Sequence, residues 1–374
     1  MRINRNIALC WLLLTGGLAL VLPALNLALG PKTEDRFGVA SLYSTDVVEG
    51  AVALACYRAG VSWDPQRVVV GKEGWLFLGD QYEGTVRYTQ GIETPHTSST
   101  RTEAIVRYLQ ETEAWLAARE IPMLFVIAPN KYTVYPEYKP DWMKTGSTNL
   151  TDAYVDRAAE AGLSLLDLRP EMVTHKDGEY PLYFKLDSHW NQYGAYLGYR
   201  TIVETLNARH GLELNSVDKT TVTSSPRGGG GTSNLLKLNP LLGDNCDVGV
   251  TVAYDGMDSP ITVQRLNRET RVPVGESVAE ANHALAVGAG PYHMTNEAAL
   301  NDLRVLWLRD SFGNYNSRYF HATFREVWAT HLADLYGPDL ARFIEQVKPD
   351  LVLYQVVERS IHGDILRVPI AGGS

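Results

Sequence analysis

The chain has 374 residues, a formal net charge of −9, 45% hydrophobic residues and 21% charged residues. That composition belongs to a globular protein, long enough for one large α/β domain with insertions or for two smaller domains. The acidic balance and the lack of any basic run exclude a nucleic-acid binder, because nothing would neutralise phosphates.

Arg2 and Arg5 precede a charge-free run from Ile7 to Leu29, interrupted only by Thr15, Gly16, Gly17, Pro23 and Asn26. About 20 apolar residues cross a bilayer core. The positive flank faces the cytoplasm, so the rest of the chain is expected outside it. A cleaved signal peptide is the alternative. The run is long for a signal peptide and lacks a clear small-x-small site, so residues 1–30 are expected to be an uncleaved single-pass anchor. Residues 31–65 read as a linker with a helical stretch around Val47 to Ala59. The main domain is expected over 66–374. Cys10 lies in the apolar run. Cys56 and Cys246 either pair in an oxidising compartment or stand as separate thiols.

VVVGKEGWLFLGD (68–80) predicts strand, turn, strand, with Gly71 and Gly74 in the turn. An amphipathic helix is expected over 101–119, with Ile105, Tyr108, Leu109, Thr112, Trp115 and Leu116 at three- and four-residue spacing. PMLFVIAPN (122–130) is a near-continuous apolar strand of the kind buried in parallel sheets. A helix over 151–162, a strand over 163–168 and a helix over 192–209 follow. VLWLRD (305–310), a helix over 338–347 opening on Pro338, and LVLYQVV (351–357) complete the pattern. Alternating helices and short apolar strands predict a parallel sheet with helices on both faces. Between about 212 and 300 the pattern becomes Thr/Val-rich and reads as a β-rich insertion. RGGGGTSN (227–234) lacks the tail of a P-loop and the spacing of a dinucleotide fingerprint, and reads as a flexible loop.

One stretch carries chemistry. In KLDSHWNQYGA (185–195), Asp187 and His189 flank one residue, so both side chains point the same way on an extended backbone. The pair is a surface turn, a metal site, or the carboxylate and base of a triad. No other histidine joins it at metal-ligand spacing, and no Cys/His cluster has zinc spacing. Asn191 is placed to cap the following helix. A nucleophile fits best at Ser311 in LWLRDSFGNYN (306–316), directly after an apolar strand and before a Gly/Asn turn. Parallel sheets expose functional groups at that end of their strands. The Ser311 amide is a candidate oxyanion donor. Asn130 and Lys131, after another core strand, are candidates for the oxyanion or the substrate, with Tyr193 and Arg318 of the same type. Lys131 also reads as a solvated loop lysine. Asp310 is expected to order its turn, and Glu358 and Arg359 to pair near a sheet edge.

Four blocks together resemble a known family: GKEGWLFLGD, IAPNKYTVYPEY, LDSHWNQYGA and LRDSFG, in that order. They resemble the SGNH-hydrolase-like proteins that O-acetylate bacterial exopolysaccharides, the AlgJ/AlgX-like family, which includes the AlgJ-like proteins of acetylated-cellulose operons. The resemblance spans roughly residues 65 to 360. It implies an SGNH-like three-layer α/β/α sandwich with a circularly permuted motif order, since Asp and His here precede Ser. It implies Ser311 as nucleophile, His189 as base and Asp187 as its orienting carboxylate, with no metal and no cofactor. Arg309 stands where the family block has glycine, which leaves open how the turn before Ser311 is built. The family context implies acetyl transfer in the periplasm from the inner membrane, onto a polysaccharide acceptor of alginate or cellulose type. It also implies a membrane-bound O-acyltransferase supplying acetyl groups, and other exopolysaccharide-secretion subunits as partners. No carbohydrate-binding module is expected after the last strand. An acetyl esterase with the same triad and a non-catalytic polysaccharide-binding subunit are the competing readings.

Overall fold

The computed structural model describes residues 5–30, 34–146, 149–218 and 220–370. Its strands, in chain order, are β1 (Val68–Val70), β2 (Leu76–Leu78), β3 (Met123–Ala128), β4 (Leu165–Asp167), β5 (Thr221–Arg227) and β6 (Asp247–Ala253). They continue with β7 (Pro260–Leu266), β8 (Pro273–Glu280), β9 (Tyr292–Thr295), β10 (Asn301–Arg309), β11 (Phe324–His331) and β12 (Leu351–Val357). The main sheet has eight strands in the order β4-β3-β12-β10-β11-β9-β7-β8. The five from β4 to β11 are parallel. The other three join antiparallel.

The apolar strand runs become the centre of this sheet because both of their faces are covered. Every residue of β3 and β12 is buried. Alternate residues enter two cores. Leu124, Val126, Leu353 and Trp307 meet Tyr199 and Ile202 of helix Gln192–His210 and Phe320 of helix Gly313–Thr323. Phe125, Ile127, Val352, Tyr354 and Leu306 meet Leu109 of helix Ser99–Ala117, Tyr154 of helix Leu150–Glu160, and Phe343 and Ile344 of helix Gly337–Val347. Burying each large side chain is worth about 1.5–3 kcal/mol. The result is helix, sheet, helix: an α/β/α sandwich.

The structure adds two features to the sequence reading. β11 was not anticipated, because Arg325, Glu326 and His331 break its apolar run; it is buried in part through its parallel register with β10. The insertion is β-rich and divides between two sheets. β7, β8 and β9 extend the main sheet, while β5 and β6 pair as a separate ribbon. Helix Asp46–Arg58 lies where a helical stretch was expected. The apolar helix Arg5–Leu29 precedes it, and Asn26 near its end donates to the carbonyls of Leu42 and Ser44 at 2.7 and 2.8 Å.

β3, β12 and β10 end on one edge of the sheet. Ala128 pairs with Val357, and Gln355 pairs with Arg309. The segments after them therefore converge: Asn130-Lys131, Glu358-Arg359 and Asp310-Ser311.

Candidate active site

The loop bearing Asp187 and His189 is pinned at both ends. Tyr183 and Trp190 form a β-bridge, and the Phe184 amide donates to the His189 carbonyl at 3.3 Å. Asn191 accepts from the amides of Tyr193 and Gly194, capping helix Gln192–His210. The helix ends at Gly211, whose φ of 63° suits glycine. The Trp190 indole donates to the Phe312 carbonyl at 2.8 Å, tying this loop to the one that carries Ser311.

A continuous hydrogen-bonded chain results. His189 Nδ1 lies 2.8 Å from Asp187 Oδ1, and His189 Nε2 lies 2.8 Å from Ser311 Oγ. A carboxylate facing Nδ1 selects the tautomer that leaves Nε2 free to accept the serine proton. The His189 ring packs against Phe312 at 5.1 Å. Burial of Asp187 opposes its charge. The His189 hydrogen bond and charge, with the Gly231 and His189 amides, outweigh that and hold the carboxyl well below the usual carboxylate range.

The Gly231 donor corrects the reading of RGGGGTSN as a flexible loop. Its amide donates to Asp187 Oδ2, and helix Gly231–Leu235 starts there. A Cβ on Gly230 would stand 2.7 Å from Asp187 Cβ, and one on Gly231 3.0 Å from Oδ2. The glycines are required by close approach rather than by flexibility. Asp247 of the insertion accepts from the Lys185 and Leu186 amides at 3.0 and 2.8 Å, holding the segment just before Asp187. Sequence reasoning missed both supports; the glycine run was the available signal.

Ser311 sits in a turn built by its neighbours. Asp310 accepts from the amides of Phe312 and Val357 at 2.8 and 2.6 Å, so it orders the turn and joins it to β12. Arg309 is 1% exposed. Its guanidinium donates to Asn314 Oδ1 and to the Leu285 carbonyl, both at 2.7 Å, and lies over Trp307. Gly313 makes room for it, since a Cβ there would meet Arg309 Cδ at 2.6 Å. The Ser311 amide makes no hydrogen bond among the described residues.

Asn130 is buried, and its Oδ1 accepts from Arg359 at 3.0 Å, which turns its Nδ2 the other way. Lys131 is neither a solvated loop lysine nor a donor to an oxyanion. It is 4% exposed, and its ammonium donates to the carbonyls of Leu76, Lys185 and Asp187 at 2.8, 2.7 and 3.0 Å. All three donors are engaged, and the charge lies over Trp75 at 4.7 Å. Burial pulls its pKa down to about 7, against the opposing pull of Asp247 and Asp187. Tyr193 packs edge-on against Tyr180 at 5.8 Å and makes no side-chain hydrogen bond to the Asp–His–Ser chain. Arg318 lies seven residues beyond Ser311 on helix Gly313–Thr323. Glu358 and Arg359 do not pair with each other. Glu358 accepts from the Asn130 amide, Thr133 and Thr151, while Arg359 binds Asn130 and Glu83. They follow a central strand, not an edge one. Cys56 and Cys246 are free thiols. Among the described residues no cluster of His, Cys, Asp or Glu could hold a metal.

A cleft of about 710 Å³ adjoins the turn, lined by Asp310, Arg359, Glu83, Arg87, His96 and His331 among others.

Part of the chain is similar to known proteins. Residues 68–245 match the SGNH hydrolase-like domain of the acetyltransferase AlgX. That span contains Asp187 and His189 and stops before Ser311. The AlgJ of Azotobacter vinelandii, named a probable alginate O-acetylase, is 26% identical over 46% of this chain and 42% of its own length. The AlgJ of Pseudomonas aeruginosa is 27% identical over 39% of this chain and 33% of its own length. The chain thus spans less than half of each of these relatives. Among solved structures, Bacillus cereus PatB1 superposes with a TM-score of 0.60 at 16% identity, covering 80% of this chain and 98% of PatB1. The O-acetyltransferase domain of Pseudomonas putida AlgJ superposes with a TM-score of 0.51 at 16% identity, covering 80% of this chain and 93% of that domain. At such identity the structures establish a shared fold. Over residues 68–245 the chain is thus similar to the SGNH hydrolase-like domain of AlgX, and it shares its fold with PatB1 and the AlgJ domain.

Proposed function

We propose that the protein transfers acetyl groups onto hydroxyls of a bacterial exopolysaccharide through an acetyl-Ser311 intermediate. The observation that carries this reading is the Asp187–His189–Ser311 chain, with both contacts at 2.8 Å and its halves 122 residues apart.

In the first step Ser311 Oγ attacks the acetyl carbonyl of a donor while His189 Nε2 takes the serine proton. Asp187 holds the imidazole and stabilises its cationic form. The tetrahedral intermediate collapses, and the leaving group departs with the proton from His189. In the second step a sugar hydroxyl attacks the acetyl-serine and gives its proton to His189. The ester moves to the sugar, and the proton returns to Ser311. The unengaged Ser311 amide and Asn130 Nδ2, aimed by Arg359, are the proposed oxyanion donors.

The apolar helix Arg5–Leu29 supports an inner-membrane anchor that keeps the domain in the periplasm, beside a membrane-bound O-acyltransferase that delivers acetyl groups and the other secretion subunits. Anchoring both partners in one plane raises their effective concentration. The polysaccharide acceptor carries the AlgJ relatives' activity over to this chain.

The test is an acetyl-ester donor added to the full-length protein in detergent, followed by intact-mass measurement. Wild type should gain one acetyl group and Ser311→Ala none. Oligosaccharide should then remove the label faster than water and become acetylated itself. Equal removal by water would make the protein an esterase; labelling of Ser311→Ala at the wild-type rate would sink the serine assignment.

A further inference from the structure

The arginines around the sheet edge fall into two groups. Those on the cleft face a carboxylate or a carbonyl. Arg87 pairs with Asp80 at 2.6 Å, Arg359 with Glu83 at 3.1 Å, and Arg101 donates to the His362 carbonyl. Arg227 and Arg318 are different. Both are half-buried, and neither has a carboxylate within 4.0 Å among the described residues. Arg318 Nε is buried with no hydrogen-bond partner.

Both belong to the surroundings of Ser311. Helix Gly313–Thr323 continues the turn that holds the serine, and Phe312 already has helical dihedrals. Positions four and seven beyond Ser311 therefore fall on its own side of the helix: these are Tyr315 and Arg318. At 1.5 Å per residue, Arg318 stands about 10 Å along from the nucleophile. Arg227 closes β5, four residues before the Gly231 amide that binds Asp187. Its guanidinium lies 3.9 Å over the Phe184 ring, and Phe184 packs on Tyr315 with centroids 5.5 Å apart. Phe184 is bonded to His189 through the backbone. Tyr315 lies in the field of both arginines and of Asp187. The Asp187 carboxylate cannot serve as their counter-ion, since His189 and Gly231 occupy it.

A half-buried guanidinium loses hydration, and neither the Phe184 face nor the Tyr315 hydroxyl beside Arg227 supplies the negative charge that would balance it. Two such cations therefore stand near Ser311 with no carboxylate against them among the described residues. A guanidinium offers a planar fork that fits a carboxylate or phosphate. We propose that Arg227 and Arg318 form an anion subsite beside Ser311, one that grips an oxyanion group on a substrate. The group is either a carboxylate on the acceptor sugar or a phosphate on the acetyl donor. Tyr315 and Phe184 form the apolar floor between the arginines. The arginines act as specificity determinants and take no part in proton transfer. The subsite rests on the reading of Ser311 as nucleophile, but its occupancy can be measured without turnover.

The experiment is calorimetric titration of full-length Ser311→Ala with three probes: an oligouronate, the same oligosaccharide after carboxyl reduction, and inorganic pyrophosphate. An anionic probe should bind about ten-fold or more tightly than the reduced sugar, and more weakly as salt rises. Adding Arg227→Gln and Arg318→Gln should erase that preference; Arg227→Lys with Arg318→Lys should restore part of it. Preference for the oligouronate assigns the subsite to the acceptor, and preference for pyrophosphate assigns it to the donor. If the Gln pair keeps the wild-type preference, or if no anionic probe outbinds the reduced sugar, the subsite does not exist. Should the Gln pair fail to fold, the Lys pair decides by the same comparison. Absence of Ser311 acetylation in wild type would instead count against the proposed reaction.

Discussion

The parallel core and the inserted β-rich region play different parts at the same site. The core delivers groups to an edge: β10 leads to Ser311, β3 to Asn130 and β12 to Glu358. The insertion holds those groups in place. Gly231 binds Asp187, Asp247 fixes the segment before it, and the Leu285 carbonyl receives Arg309. The core is stabilised by apolar burial, which tolerates many sequences. The insertion contributes individual hydrogen bonds, each of which depends on one position. Substitutions in the core should therefore act on stability, and those in the insertion's contact points on rate.

The largest effect should come from the charge that both regions share. Asp187→Asn should lower turnover about 10⁴-fold, because an amide favours the wrong imidazole tautomer; steady-state kinetics with an acetyl ester measures it, and a loss below ten-fold would remove Asp187 from the relay. Next comes the core. Leu353→Ala, at a fully buried position in β12, should cost about 2–5 kcal/mol in denaturant unfolding. Val278→Ala, 75% exposed on the outermost strand β8, should stay within about 0.5 kcal/mol. Equal costs would erase the contrast between core and outer insertion. Gly230→Val should then lower turnover about 10²-fold with little change in Tm, since the new Cβ must push Asp187 aside. A large fall in Tm with unchanged turnover of the folded fraction would assign the glycine to folding instead.

The last effect is a pH trend, gradual rather than abrupt. Lys131 has its pKa lowered to about 7 in the fold, while an unfolded lysine titrates near 10.5. Between those values the unfolded chain binds more protons, so wild-type stability should rise with pH, by at most about 1.4 kcal/mol per unit. Below pH 7 the cost of burying the charge is present in full. Lys131→Met should lack the rise. Parallel slopes for the two proteins from pH 7 to 10 would show that the ammonium keeps its proton in the fold.

Much of this was legible in the chain. Runs such as MLFVIA and LVLYQVV announce buried parallel strands, and spacing places Ala195, Tyr199, Ile202 and Leu206 on one helix face. Asn191 is a local cap, readable from its immediate neighbours. Asp187, His189 and Ser311 stand out because short motifs carry them. What stayed hidden depends on partners far along the chain. Lys131 looks solvated until Leu76 and Lys185, more than 50 residues away, supply its carbonyls. The glycine run looks loose until Asp187, 44 residues earlier, fills the space against it. Glu358 and Arg359 look like a pair because they are adjacent, yet consecutive residues leave a strand in different directions.

The common edge of β3, β12 and β10 carries one more consequence. Ser311, Asn130 and Glu358 are located by where strands stop, and not by their order along the chain. The loops bearing His189 and Ser311 are joined to each other by the Trp190 bond to Phe312, whatever route the chain takes between them. The order in which Asp187, His189 and Ser311 occur along the chain therefore does not fix how they meet.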